Sequence, residues 1–219
     1  MNTPLFFYAS SVGRATLDQG EGGGNPFASA LIESLARDRL TLRVLTEDMA
    51  DLTVSKSRGF QRPDLPSAVN LPDFPIKPKH STQLYVALVL VFSDYSASGG
   101  AASLPGAKYD AYRVAAALKG VGFETQRLID PTREHLGTLL QAFASRSGSA
   151  EMALIYATGH GAHVAGETFL LPGDYPLLDQ GLSLESYALR VSELASVTRA
   201  KHLNLVCYGG CRNNPFSRR

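Results

Sequence analysis

Four continuous apolar runs, residues 5–9, 84–92, 152–157 and 203–208, are short and bounded by turn residues. They are also too uniformly apolar to face water on one side, and this predicts buried strands. A fifth segment, residues 122–130, alternates polar with apolar positions and predicts an edge strand. Between these runs the period changes. Ala107, Ala111, Val114, Ala115 and Leu118 form one helical stripe, and Leu136, Leu139, Leu140 and Phe143 form another. Asn25-Pro26 and Asp130-Pro131 each place a capping residue before a proline, which predicts helix starts at both. Further helices are expected near residues 26–36, 42–54 and 191–200. Helix alternating with strand predicts an α/β domain with a mainly parallel sheet. Residues 66–83, with four prolines and little periodicity, break the pattern and predict a linker between two parts of one domain.

Composition adds exclusions. A chain of 219 residues suits one domain with a substantial core. Its 21 Lys and Arg against 20 Asp and Glu leave a net charge of +1, so neither a nucleic-acid footprint nor a polybasic membrane patch is expected. The opening "MNTPLFFYAS" has no basic stretch ahead of its apolar run, and the run at 84–92 is far shorter than a bilayer span. A cytoplasmic protein follows, as a monomer or a dimer. Cys207 and Cys211 are four apart, but no set of Cys and His completes a zinc site, so neither metal nor cofactor is expected. The two thiols are expected to stay reduced.

In parallel α/β sheets reactive groups gather beyond the carboxyl ends of the strands. His160 follows one strand inside "TGHG", Cys211 follows another inside "GGC", and Asp110 lies in the helix after a third. A cysteine attacks as its thiolate, and His160 is the candidate base. The amides of Gly161 and Cys211 are candidates for an oxyanion hole. An ordinary glycine turn around His160 and a small buried Cys211 fit strand position equally well. Asp110 shares the apolar face of its helix and should point inward, where an arriving Arg or Lys side chain could pair with it. Alternatively it serves the positive end of the helix dipole. Ala9 and Ser10 leave a strand at the same sheet edge and could line a groove. "DQGEGGGNPF" lacks the Lys-Ser/Thr ending of a phosphate loop and predicts a flexible loop entering a capped helix.

Three stretches in order, "VALVLVFSDY…LPGAKYDAYRVAAALKGVGFETQRLID", "ALIYATGHGAHVAGETFLLPGDY" and "CRNNPF", resemble the large-subunit-like part of bacterial caspase-like peptidases, the metacaspase and orthocaspase relatives. "LFFYASSVGRATLDQGEGGGNPFASALIESL" with "GFQRP" resembles the small-subunit-like part, which ordinarily follows the catalytic cysteine. The resemblance implies a three-layer caspase-like fold, circularly permuted: residues 1–65 small-subunit-like, 66–83 linker, 84–219 large-subunit-like. It also implies a cysteine endopeptidase with Cys211 as nucleophile, His160 as base, and Gly161 and Cys211 holding the oxyanion. Asp110 and Thr158 match substrate-pocket positions, which implies cleavage after Arg or Lys. Where relatives carry Asp-Ala ahead of the cysteine, this chain has Gly209-Gly210. The stretch after His160 lacks an Asp-rich insertion, so calcium independence is expected. The Gly209-Gly210 departure leaves open a catalytically silent module that binds partners, and "SRR" at the end raises the idea that Arg218 or Arg219 folds into the chain's own cleft.

Overall fold

The computed structural model describes residues 3–20, 22–80, 82–98, 101–176 and 184–216. In chain order its elements are β1 (Leu5–Tyr8), α1 (Pro26–Leu35), α2 (Leu42–Lys56), β2 (Tyr85–Val91), α3 (Pro105–Gly120), β3 (Glu124–Ile129), α4 (Arg133–Ser147) and β4 (Met152–Thr158). Then come β5 (Gly161–Val164), β6 (Glu167–Leu170), α5 (Leu184–Tyr187), β7 (Leu189–Arg190), α6 (Val191–Ser196) and β8 (Leu203–Tyr208).

The apolar runs form a five-stranded sheet in the order β1-β8-β4-β2-β3, every pair parallel. Alternation along each strand divides its side chains between two cores. Tyr85, Ala87, Val89, Met152, Leu154, Tyr156, Leu205 and Cys207 face α1, α2 and α3. Val86, Leu88, Leu90, Ala153, Ile155, Val206 and Tyr208 face α4, α6 and a small antiparallel sheet, β5-β6-β7. Helices on both faces of a mainly parallel sheet make a three-layer α/β domain. Among the described residues, no helix is long and apolar enough to cross a membrane.

The register sets the strand ends level: Tyr8 pairs with Tyr208, Tyr208 with Ala157, and Thr158 with Val91. Everything leaving these ends is therefore delivered to one rim of the sheet. Beyond β1, Tyr8 makes an isolated antiparallel bridge with Asp64, with N–H···O bonds of 3.0 and 2.9 Å in the two directions.

Three sequence expectations change. The helix expected at Asp130-Pro131 starts at Arg133, where the Thr132 side chain caps the His135 N–H. Asp130 has φ 47°, and its carboxylate instead accepts from the Ser93 N–H, the Ser93 hydroxyl and the Asp94 N–H. A short polar side chain that caps a neighbouring loop tolerates this left-handed backbone. The helix expected over 191–200 ends at Ser196. Residues 66–80 are also no loose tether. Leu71 and Ile76 are buried in the α1/α2/α3 core, Phe74 stacks on Tyr85, and the backbone of residues 74–76 bonds to Leu40 and Leu42.

Candidate active site

A cleft of about 130 Å³ opens at the rim, lined by Thr16, Leu17, Asp18, Asn25, Leu104, Ala107, Thr158, Gly159, His160, Gly209 and Cys211. The chain ends of β4 and β8 bring His160 and Cys211 into this one cleft. Both cysteines are free thiols. Cys207 faces the interior, where burial pushes its thiol far up and leaves it inert. Cys211 is only part-buried, and its Sγ accepts from the Thr16 N–H at 3.2 Å, with the Thr16 hydroxyl at 3.4 Å.

His160 is held on three sides. Its backbone N–H donates to the Tyr95 hydroxyl at 2.8 Å, which itself donates to the Leu171 carbonyl at 2.8 Å. The Tyr95 ring meets the imidazole edge-on, with centroids 4.4 Å apart. Nε2 lies 2.7 Å from the Ala102 carbonyl. A carbonyl can only accept, so Nε2 carries the proton in that bond and the neutral ring keeps Nδ1 as its acceptor.

Gly161, next in the chain, abuts the backbone of Cys211. A Cβ there would lie 2.4 Å from the Cys211 carbonyl oxygen, 3.2 Å from its nitrogen and 2.1 Å from the Tyr208 hydroxyl. Only glycine permits this approach. It places the backbones of Gly161 and Cys211 side by side.

Arg212 ties the cysteine loop to the rest of the rim. Its guanidinium is buried, donates to the Ser10 carbonyl at 3.2 Å and to Asp64 at 2.7 Å, and lies 3.9 Å over the Tyr8 ring. Ala9 and Ser10 are themselves fully buried under this loop, and neither lines the cleft.

Thr158 does line it, beside Gly209. A Cβ at residue 209 would meet the Thr158 hydroxyl at 2.9 Å and the Tyr156 hydroxyl at 3.0 Å, so these two hydroxyls occupy the volume a 209 side chain would take. Asp110 stands one layer back. Its side chain is fully buried, with one oxygen accepting from the Asn25 N–H at 2.7 Å and the other from Arg113 at 3.1 Å.

Burial pushes the Asp110 carboxyl up to about 7, against the pull of the Asn25 N–H and of Arg113, with Asp18 adding to the rise. The folded state therefore holds this proton more tightly than the unfolded chain, where an aspartate titrates near 4. The stability it contributes is complete below about pH 4 and is lost as pH rises through about 7, on the order of 4 kcal/mol. Thermal melts of wild type and Asp110→Asn between pH 4 and 7 should show the wild type losing stability relative to the variant. A constant difference across that window contradicts this assignment.

The first quarter of the chain supplies wall residues that sequence reading missed: Thr16, Leu17, Asp18 and Asn25. Helix α3 begins after Leu104, which has no capping side chain, and the N–H groups of Gly106 and Ala107, without partners inside the helix, are taken by the Asp18 carboxylate at 2.9 and 2.8 Å. An uncapped helix start is the one signal that pointed to a remote carboxylate. Among the described residues lining the cleft, Asp18 is the only acid. Arg218 and Arg219 lie outside the described residues. Among the described residues, no group of three or more His, Cys, Asp or Glu is placed to hold a metal ion.

The fold is a parallel three-layer α/β domain with a cysteine and a histidine sharing one rim cleft. Residues 85–206, more than half the chain, match the family model described as the caspase domain of the C14 peptidases, and the chain belongs to that family of cysteine-type peptidases. The matched stretch includes His160 and stops five residues before Cys211. No curated protein matches the chain.

Proposed function

We propose that the chain is a cysteine endopeptidase in which Cys211 attacks and His160 serves as general base. The observation that carries this is the convergence of His160 and Cys211 on one cleft, with the His160 ring oriented by Ala102 and Tyr95. Nδ1 takes the thiol proton, the thiolate attacks the scissile carbonyl carbon, and the negative oxygen is received by the amides of Gly161 and Cys211. The imidazolium returns the proton to the leaving amine as the C–N bond breaks, leaving a thioester. Water, deprotonated by the same imidazole, then hydrolyses the thioester and frees the sulfur. The Thr16 N–H is a ready donor to sulfur through this cycle.

The finer reading is cleavage after Arg or Lys, with Thr158 and Asp110 contributing to the pocket. It is supported by Asp18 in the cleft wall and by Asp110 behind it. In this reading Ser10 supports the Cys211 loop through Arg212, and Ala9 through its N–H to the Tyr208 carbonyl at the end of β8.

Circular permutation is part of the same reading. The small-subunit-like strand β1 comes first in the chain yet pairs with β8, the strand that delivers Cys211. Residues 66–80 pack against the core between the two halves as the connection that permutation requires.

A panel of fluorogenic peptides ending in Arg, Lys, Gln, Leu or Asp tests the proposal. Wild type is expected to release the fluorophore, and Cys211→Ala is expected to release none. Peptide electrophiles should label Cys211 and not Cys207. Turnover that survives in Cys211→Ala, or the absence of both turnover and labelling in wild type, overturns it in favour of a silent binding module.

A further inference from the structure

On α3, Ala107, Asp110 and Arg113 follow one another at intervals of three residues and so form a single row. Ala107 lies in the cleft wall, Asp110 is fully buried behind it, and Arg113 closes the row with 22% of its side chain exposed. Arg113 reaches the Asp110 carboxylate from the far end of this row. Its guanidinium is held there by the Ser29 hydroxyl, 3.3 Å from both terminal nitrogens, and by the Tyr109 ring, 5.1 Å away. Gly24 seals the pair: a Cβ on it would lie 2.0 Å from Asp110 Oδ1 and 2.7 Å from Arg113 Nη1. The second carboxylate oxygen is taken by the Asn25 N–H, and Asn25 itself forms the wall between this ion pair and the cleft.

Resting on the peptidase reading, we infer that Arg113 is a specificity-determining residue, a resident cation that already occupies the partner site of Asp110 and weakens the pocket's preference for basic residues. A guanidinium or ammonium arriving from the cleft finds a carboxylate whose charge is balanced and whose two oxygens are both engaged. A second cation placed beside a satisfied pair gains little, and it is repelled by the first. Gly209 adds no carboxylate, and the space at that residue is floored by neutral hydroxyls of Thr158 and Tyr156. Selectivity for a basic substrate residue then rests on Asp18, both of whose oxygens also serve the start of α3. The substrates that fit are peptides with Arg or Lys before the scissile bond, together with those bearing uncharged polar side chains of similar length.

The test compares two otherwise identical peptides, one with Arg and one with Gln before the scissile bond. In wild type their kcat/KM values should differ by less than about tenfold. Assayed at about pH 9, because losing the pull of Arg113 raises the Asp110 carboxyl further above about 7, Arg113→Met should raise the Arg-to-Gln ratio about tenfold or more, mainly through KM, as the ionised Asp110 is then without its resident cation. Adding Asp110→Asn to Arg113→Met should cancel the gain, which a merely structural role for Arg113 does not predict. Arg113→Gln repeats the comparison if the methionine variant does not fold. The same two peptides are also scored by how well each slows alkylation of Cys211 by iodoacetamide, which needs no turnover. A wild-type ratio of a hundredfold or more, or an unchanged or lower ratio in both variants by both readouts, overturns the inference. Loss of turnover in Cys211→Ala bears on the peptidase reading alone, so the two can fail separately.

Discussion

His160→Ala is expected to lower kcat by about a thousandfold or more while leaving the melting temperature within a few degrees of wild type. The rate effect is large because among the described residues lining the cleft no other histidine is present to accept the Cys211 proton. The stability effect is small because the ring is not core. It contributes one edge contact to Tyr95 and one hydrogen bond to the Ala102 carbonyl, at the open side of the rim. The bond between the His160 N–H and the Tyr95 hydroxyl is made by backbone and survives the truncation. Steady-state kinetics with the Arg-ended peptide, read beside a thermal melt, check both halves. A variant retaining more than a tenth of wild-type kcat contradicts the assignment of the base.

Gly161→Ala is expected to do damage of both kinds. The added methyl group would stand 2.1 Å from the Tyr208 hydroxyl and 2.4 Å from the Cys211 carbonyl oxygen, and the second of these is backbone that no side-chain rotation can relieve. The hairpin must retreat from the nucleophile loop. That overpacking should cost about 2 to 3 kcal/mol of stability. Moving the two amides apart should lower kcat by about a hundredfold or more. Gly137→Ala is the control: a Cβ there meets nothing within 4 Å, and the residue lies inside α4. It should leave kinetics unchanged and raise stability by up to about 1 kcal/mol. If Gly161→Ala behaves like Gly137→Ala, the two amides do not act together on substrate.

The contrast between these glycines shows which parts of the molecule could be read in advance. Parallel strands buried on both faces are continuously apolar, so β2, β4 and β8 stand out from their composition. The expected edge strand β3 does run at the sheet edge, though its burial does not alternate. The hairpin β5-β6 and the two-residue β7 have no such signature: they are as short as β1 or shorter, and unlike its wholly apolar LFFY they mix polar with apolar positions.

The site divides the same way. His160 and Cys211 could be placed because each follows a recognisable strand. Asp18 could not, because its partners, the N–H groups of Gly106 and Ala107, are 88 and 89 residues away and the contact is a product of folding. Asp110 could be placed facing inward from its helical stripe, with Arg113 three residues on in the same row, but Asn25 and Ser29, which hold the pair, are 85 and 84 residues from their partners. Periodicity does not reach that far.

The bridge at Tyr8 and Asp64 also bears on what the β1 edge of the sheet presents to its surroundings. An unpaired parallel edge offers a ladder of donors and acceptors to any passing strand. Here Tyr8 and Asp64 exchange both backbone bonds, and Ser11 donates to the Arg62 carbonyl, so residues 62 and 64 turn their polar groups inward. The intervening residue is Pro63, which has no N–H to present outward. The strip thus meets β1 only at its last residue, Tyr8, and places beside that bridge a residue that cannot donate to a further ladder. Asp64 of that strip is also the partner of Arg212, so the residue that bridges the end of β1 also anchors the loop carrying Cys211.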